Sequence, residues 1–398
     1  MRQWADIRFE VGSAQVLEEM VKLPALPIFS EEAAAFLSDL SHRLLTTPEV
    51  KAYSDVMTFA FWCRKASVNQ MARGYADEMD RFGRGIVFHI APSNVALNFA
   101  YSMAAALLAG NACIVRLPSK SFPQVDMVCA AMREALEDND LIQRYYVLVR
   151  YGHNKSINDA LSALCDTRVI WGGDQTIESL RQSPLSPRAN EIAFADRYSI
   201  AIIGAKEYLQ AENKEQIARD FFNDTYLTDQ NACTAPRLIV WLGSREIVAQ
   251  AQEQFWETMQ RLVEKQYDLQ PVQAVDKLTA QYLMAAEVDI HAVKGEDNRI
   301  VRIEADRLDD NTLKYRANSG FFIEYSTVNL ADILPVCDSR CQTVSYFGVE
   351  KELLVRFICE ARPRGLDRIV PIGHSMDFSL VWDGIDLIRS MSRIIEVR

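Results

Sequence analysis

The sequence predicts an α/β protein built on mostly parallel sheets, and three observations carry that expectation. Short unbroken apolar runs recur, among them GIVFHIA (85–91), ACIVRL (112–117), YYVLVR (145–150) and SIAIIGA (199–205). Stretches with helical spacing lie between them. Turn-forming residues such as the PSN of 92–94 and Gly110-Asn111 separate the two kinds of segment. A strand buried on both faces loses the in-and-out alternation of a half-exposed one. Continuous apolar runs alternating with helices are therefore the pattern of a parallel sheet covered on both sides.

Composition sets the outer bounds. The chain has 398 residues, 49% hydrophobic and 24% charged. At roughly 100 to 200 residues per domain, that length accommodates two or three domains. The balance excludes a disordered chain, a collagen and a coiled coil. A net charge of −11 argues against a general nucleic-acid binder and leaves room for a local basic pocket that meets a phosphate. The N-terminal MRQWADIRFEVG lacks the basic-then-apolar run of a signal peptide. The most apolar stretch, 95–109, contains Asn98, Tyr101 and Ser102 and is too short to span a bilayer. A cytoplasmic protein is expected. The eight cysteines, at 63, 113, 129, 165, 233, 337, 341 and 359, form no CxxC pair, and the five histidines are scattered. Free thiols and no metal site are expected.

Taken in order, residues 1–80 read as mostly helical. Ser30-Glu-Glu-Ala opens a helix through Leu45, with Ala33, Leu37, Leu40 and Leu44 near one face. A second helical stretch runs from about 54 to 73. From Gly83 the pattern becomes strand (85–91), helix (95–109), strand (112–117), helix (122–137), strand (145–150), helix (154–164) and strand (168–173). After the strand at 199–205 come a helix at about 213–223, the loop TDQNACTAPR (228–237), a strand at 238–243 and a long helix near 245–266. The tail GIDLIRSMSRIIEVR is amphipathic.

Four places carry chemistry. Cys233 sits in a polar loop just before a strand, with Asn231, Thr234 and Arg237 close in sequence. A nucleophilic thiol needs thiolate character, which nearby cations promote and apolar walls suppress. Its other reading is a small buried hydrophobe. Pro92, Ser93 and Asn94 follow the strand at 85–91, on the edge where open α/β sheets bind ligands. Asn94 offers an amide donor to an oxyanion or, as the plainer alternative, a helix cap. In RLPSKS (116–121), Arg116, Ser119 and Lys120 suit a ribose or a phosphate, or form a solvated basic loop. Gly172 and Gly173 let a backbone approach a pyrophosphate, although turns use paired glycines widely. Neither GxGxxG nor GxxxxGK[ST] occurs.

The order of these signals is more informative than any one of them. RGIVFHIAPSNVALNFAYSMAAALLAGNACIVRLPS resembles the aldehyde dehydrogenase superfamily block of strand, I-x-P-x-N, helix ending in A-G-N, and strand ending in a basic residue and Pro. WGG lies where that family has a second cofactor loop. FADRYSIAII (194–203) is similar to its L-G-G-K-S-P-N-I-I segment, and QNACTAPR to its catalytic loop. RCQTVSYFG (340–348) and RIVPIGHSMDFSLVWDGIDLIRSMSR (368–393) resemble the acyl-CoA reductases of the bacterial luminescence type, the LuxC-like fatty acyl reductases.

The resemblance implies an aldehyde dehydrogenase-like α/β fold with a parallel-sheet, Rossmann-type cofactor domain and a second α/β catalytic domain. The expected division is 1–80, a helical region packed on the cofactor domain; 81–203, the NAD(P)-binding domain; 204–366, the catalytic domain; and 367–398, a tail returning to the cofactor domain or a neighbouring subunit. Cys233 is implied as the nucleophile and Asn94 as the oxyanion donor. Pro92, Arg116, Ser119, Lys120, Gly172, Gly173 and Gln342 are implied at the cofactor, with NADPH favoured by Arg116 and Lys120. The expected activity is NADPH-dependent reduction of an acyl-CoA, or another activated acyl group, to an aldehyde through an acyl-cysteine. Hydrolytic members carry a water-activating Glu where alignment places Ala193, with Glu191 two residues away. General-base assistance is worth about 10²- to 10⁴-fold, so its absence protects an acyl-enzyme from water. Aldehyde oxidation by NAD(P) and a non-catalytic acyl-binding subunit of the same fold remain open at this point. The implied partners are the acyl-CoA substrate, an acyl-activating enzyme of the acyl-protein synthetase kind and further copies of the chain.

Overall fold

In a computed structural model, residues 4–77, 80–93, 95–287, 290–293, 295 and 297–397 are described. The chain forms two compact units, Met1–Ala195 with Phe378–Arg398, and Asp196–Asp377. The expected boundary at 203/204 therefore moves to 195/196, because the strand that follows hydrogen-bonds into the second sheet. The tail divides at 377/378 instead of 366/367.

In the first unit, strand β1 (Arg8–Val11) precedes helices α1 (Ala14–Met20), α2 (Glu31–Thr46), α3 (Ser54–Trp62) and α4 (Lys65–Arg73). The N-terminal region is thus not only helical. β1 pairs antiparallel with a strand of the first sheet and completes its edge. Its RFEV alternates polar and apolar residues, so no apolar run marks it. α2 begins as expected, with Ser30 Oγ accepting from Ala33 N at 3.2 Å. Ala33, Leu37, Leu40 and Leu44 are buried along one face.

The rest of the unit alternates: β2 (Arg81–Gly83), β3 (Ile86–Ile90), α5 (Asn98–Leu108), β4 (Ala112–Arg116), α6 (Pro123–Glu137), β5 (Tyr146–Arg150), α7 (Lys155–Leu164), β6 (Thr167–Trp171), α8 (Asp174–Arg181) and β7 (Asn190–Phe194). The sheet order is β1-β5-β4-β3-β6-β7, parallel apart from β1. The chain thus builds outward from β3 to one side and then, from β6, to the other. That reversal beside β3 is the switch point at which such sheets take ligands.

Asn111 ties the turn between α5 and β4 to its surroundings. It is fully buried, and its Oδ1 accepts from Arg84 N (2.7 Å) and Gly85 N (3.1 Å). Its Nδ2 donates to Ala106 O (3.1 Å) and Met391 O (2.9 Å), so the A-G-N turn holds the C-terminal segment as well. Ser392–Ile394 then pairs antiparallel with β2. Gly110, at φ +88°, could not carry a side chain, because a Cβ would lie 2.0 Å from Leu26 O.

The second unit contains β8 (Tyr198–Gly204), α9 (Ala205–Gln210), α10 (Lys214–Thr225), β9 (Pro236–Leu242), α11 (Arg245–Gln266), α12 (Pro271–Ala285), β10 (Ile290–Val293), β11 (Val301–Ala305), β12 (Phe321–Thr327), β13 (Cys341–Phe347), α13 (Lys351–Ala361) and β14 (Arg368–Pro371). Its sheet order is β10-β11-β12-β9-β8-β13-β14, parallel except for β10. Along β8, Ile200 and Ile202 join one buried cluster while Ala201 and Ile203 join another. Successive side chains of a strand point to opposite faces, so both faces are covered and the apolar run is unbroken. Among the described residues, no helix is long and apolar enough to cross a membrane.

Candidate active site

The first sheet brings most of the predicted cofactor residues to one edge. β3, β4 and β6 are adjacent and parallel, so the residues after each emerge on the same side. Pro92 and Ser93 follow β3. Arg116 ends β4, and Ser119 and Lys120 stand exposed just beyond it. Gly172 and Gly173 follow β6, and Gly173 is the N-cap of α8. Asn94 lies outside the described residues.

Arg116 is braced: its guanidinium lies 4.6 Å over the Tyr151 ring, and Nη2 donates to Gly152 O at 3.4 Å. Lys120 Nζ sits 5.3 Å over Phe122. A Cβ on Gly172 would come within 3.3 Å of Thr176, so this is a turn with little room to spare. Beneath it, Trp171 Nε1 donates to Ser102 Oγ (3.1 Å), which also meets His89 Nδ1 (2.8 Å). Burial pushes His89 down to about 3, so this brace carries no charge at neutral pH. A paired-glycine turn at a helix start, with cations after β4 on the same sheet edge, fits the pyrophosphate and ribose of a dinucleotide.

Glu191 is not a spare base. On β7 it pairs with the buried Arg168 (2.5 Å) and with Arg181 (2.8 Å). Ala193 occupies the same strand two residues on.

The cysteine loop lies at the N-terminal edge of the second sheet, just before β9. Asp229 (φ 51°) and Gln230 (φ 56°) are consecutive left-handed residues. Such residues cost roughly 1–3 kcal/mol each and persist where the surroundings determine them. Here the surroundings do so. Tyr267 Oη donates to Asp229 Oδ1 at 2.7 Å. The buried Gln230 amide donates to Pro236 O and Phe321 O (both 3.0 Å) and accepts from Gly320 N (3.0 Å) and Phe321 N (3.1 Å). Arg237 Nη1 donates to Ala317 O (2.9 Å) and Asn318 Oδ1 (2.6 Å), and Nη2 to Gln230 O (3.1 Å). Ser199 Oγ donates to Cys233 O at 2.7 Å. Gln230 and Asn318 gave no signal in the sequence, because the contacts that tie Gln230 to Gly320 and Phe321, and Asn318 to Arg237, join segments far apart in the chain.

This frame leaves Cys233 partly exposed, in contrast to the buried Cys63, Cys113, Cys129, Cys165, Cys337 and Cys341. Burial raises Cys63 and Cys113 well above the usual thiol range and pushes Cys129 and Cys165 to about 12. Arg237 is pushed down to about 10, first by burial and then by Arg316, while Asp196 and Cys233 support its charge. It remains a cation at neutral pH. A polar depression of about 350 Å³ adjoins the loop, lined by Asn231, Gln273, Asp276, Arg316 and Asn318 among others. Gln342 is fully buried at the start of β13, on the same sheet edge as Cys233.

The family described as Acyl-CoA reductase (LuxC) matches residues 19–394. The chain belongs to the LuxC acyl-CoA reductase family. Two curated relatives are named long-chain acyl-protein thioester reductase. The one from Aliivibrio fischeri is 21% identical over 299 residues, 74% of this chain and 60% of that protein. The one from Photorhabdus laumondii is 25% identical over 333 residues, 79% and 63% respectively. This LuxC-family chain therefore spans about three fifths of the length of those relatives. Among solved structures it is similar to the glyceraldehyde-3-phosphate dehydrogenase GapN of Methanocaldococcus jannaschii complexed with NADP, with TM-score 0.66, 14% identity, and 96% of this chain and 91% of that one covered. It is also similar to an NAD-dependent benzaldehyde dehydrogenase of Corynebacterium glutamicum, with TM-score 0.63, 12% identity, and 98% and 94% covered. The LuxC-family chain has the aldehyde dehydrogenase fold, as its motif order implies.

Proposed function

We propose that the chain reduces a fatty acyl thioester to the aldehyde through an acyl-cysteine at Cys233, with NADPH as reductant. The observation that carries this reading is the partly exposed Cys233, held in a strained, hydrogen-bonded loop with the Arg237 cation. Family membership supports it.

The Cys233 thiolate attacks the acyl carbonyl carbon. The Cys233 backbone N–H and the Asn94 amide are the proposed donors to the oxyanion. The oxyanion collapses, the bond from carbonyl carbon to the donor's sulfur breaks, and the donor leaves as a thiolate. When bound, NADPH supplies the hydride that takes the acyl group to the aldehyde oxidation level. The second collapse breaks the bond to Cys233 and returns the thiolate. Arg116, Ser119, Lys120, Gly172 and Gly173 are the residues proposed to hold the cofactor, with Pro92 at the same edge and Gln342 a further candidate contact. Arg116 and Lys120 suit a 2′-phosphate and so favour NADPH over NADH.

Glu191, committed to Arg168 and Arg181, supports reduction over hydrolysis, since the carboxylate two residues from the expected position is held in ion pairs. The relatives' name supports an acyl group delivered by a companion acyl-activating protein as well as by CoA. A cytoplasmic homo-oligomer is the proposed setting. The test is acyl-CoA-driven oxidation of NADPH, followed by absorbance. Cys233→Ala should lose at least about 10³-fold in kcat, as removal of a covalent nucleophile does. Wild-type-like turnover in that variant would end the proposal.

A further inference from the structure

The segment 373–377 meets the cysteine loop, and one buried carboxylate on α10 holds it in place. Asp224 is fully buried. Its Oδ2 accepts from Gly373 N at 2.7 Å and its Oδ1 from Ser375 N at 3.0 Å. Arg368 on β14 grips the same segment, donating to Ser375 O (3.0 Å) and Asp377 O (2.8 Å). His374 Nδ1 meets Asp377 Oδ2 at 2.7 Å. Gly373, at φ +93°, lies so close to α10 that a Cβ would come within 2.8 Å of Asp220 Cβ. Between these anchors, Met376 Sδ accepts from Thr234 Oγ1 at 3.1 Å. Thr234 is buried and directly follows Cys233, whose own carbonyl is held by Ser199.

A carboxylate accepts two N–H groups without offering a donor, which an amide cannot do. Burial pushes Asp224 up to about 6, so a charge that disfavours folding is retained here at neutral pH. Proteins keep such local costs where geometry matters to function.

We propose that Asp224 is a positioning residue for the reaction at Cys233: it fastens segment 373–377 so that Met376 holds Thr234, and with it the Cys233 N–H and sulfur. The inference rests on Cys233 being the nucleophile.

The test measures kcat, KM and the unfolding midpoint for Asp224→Asn, Met376→Leu and the double variant, using the full chain with a long-chain acyl-CoA and NADPH. Asp224→Asn should lower kcat at least tenfold while both KM values stay within threefold. Met376→Leu conserves volume and should lower kcat about threefold with an unchanged midpoint. Because both act through one contact, the double variant should be no slower than Asp224→Asn alone. A kcat within twofold of wild type in Asp224→Asn, or losses that multiply in the double variant, would overturn the inference. If Asp224→Asn does not fold, Met376→Leu and Thr234→Val decide, and unchanged kcat in both rejects it. An active Cys233→Ala variant would remove the nucleophile reading itself. An inactive one beside a fully active Asp224→Asn removes only this inference.

Discussion

At the scale of single residues, the side chains that matter most are those already committed to partners. Arg168 is 2% exposed and donates to Ser162 Oγ, Leu180 O and Ser183 O besides its ion pair with Glu191. Removing one partner of a buried ion pair leaves an uncompensated charge. Glu191→Ala should therefore cost about 3 kcal/mol in urea unfolding, since the remaining carbonyls still solvate the guanidinium. Its ratio of aldehyde to carboxylic acid product should equal that of wild type. A shift in that ratio would show Glu191 handling water. The sequence pointed to Glu191 only as a residue near the wrong place. Its pairing with Arg168 spans 23 residues and follows from the β6–β7 register, which no local pattern encodes. Cys233 stood out as a candidate only once QNACTAPR was set beside the family's catalytic loop, and Gln230 did not stand out, because a buried amide serving backbone from β12 looks like any loop glutamine.

At the scale of elements, α10 and the segment after β14 form a unit with a calculable pH response. Asp224 has a folded pKa of about 6, above the ordinary carboxylate value of about 3.9. An acid whose pKa is raised by folding binds its proton more tightly in the native state. Its contribution to stability is fully present below about pH 4 and is lost as pH rises through about 6. His374, Asp220 and Asp377 are the charged groups nearest this response, and His374 is raised chiefly by its bond to Asp377. Between pH 4 and 6, stability should therefore change in favour of Asp224→Asn relative to wild type, as read by urea midpoints across that range. A constant difference between the two would contradict the assignment. Of the strands expected from apolar runs, β3, β4, β5 and β8 fall within two residues of expectation, whereas β10 to β14 drew no expectation. β1 and β7 were not marked either, because RFEV and NEIAF mix polar and apolar residues at partly and fully buried positions. The break between α3 and α4 at Cys63 and Arg64 carries no Gly or Pro to mark it.

At the scale of the whole molecule, each unit has its own core and carries its candidate site residues at a sheet edge. In the first unit the cofactor candidates gather after β3, β4 and β6. In the second, Cys233 precedes β9. The motif order between residues 83 and 240 made this arrangement readable, because it runs through both sheets in sequence. The unit boundaries were less readable, since β8 is as apolar as any strand of the first sheet and only its pairing with β9 and β13 assigns it. The central claim is that the acyl group passes through the Cys233 sulfur, and the most direct measurement is mass spectrometry of the protein mixed with a long-chain acyl-CoA in the absence of reduced nicotinamide. One acyl mass increment is expected on the peptide carrying Cys233, discharged as aldehyde when NADPH is added. An increment on another residue, or one that NADPH fails to discharge, would contradict it.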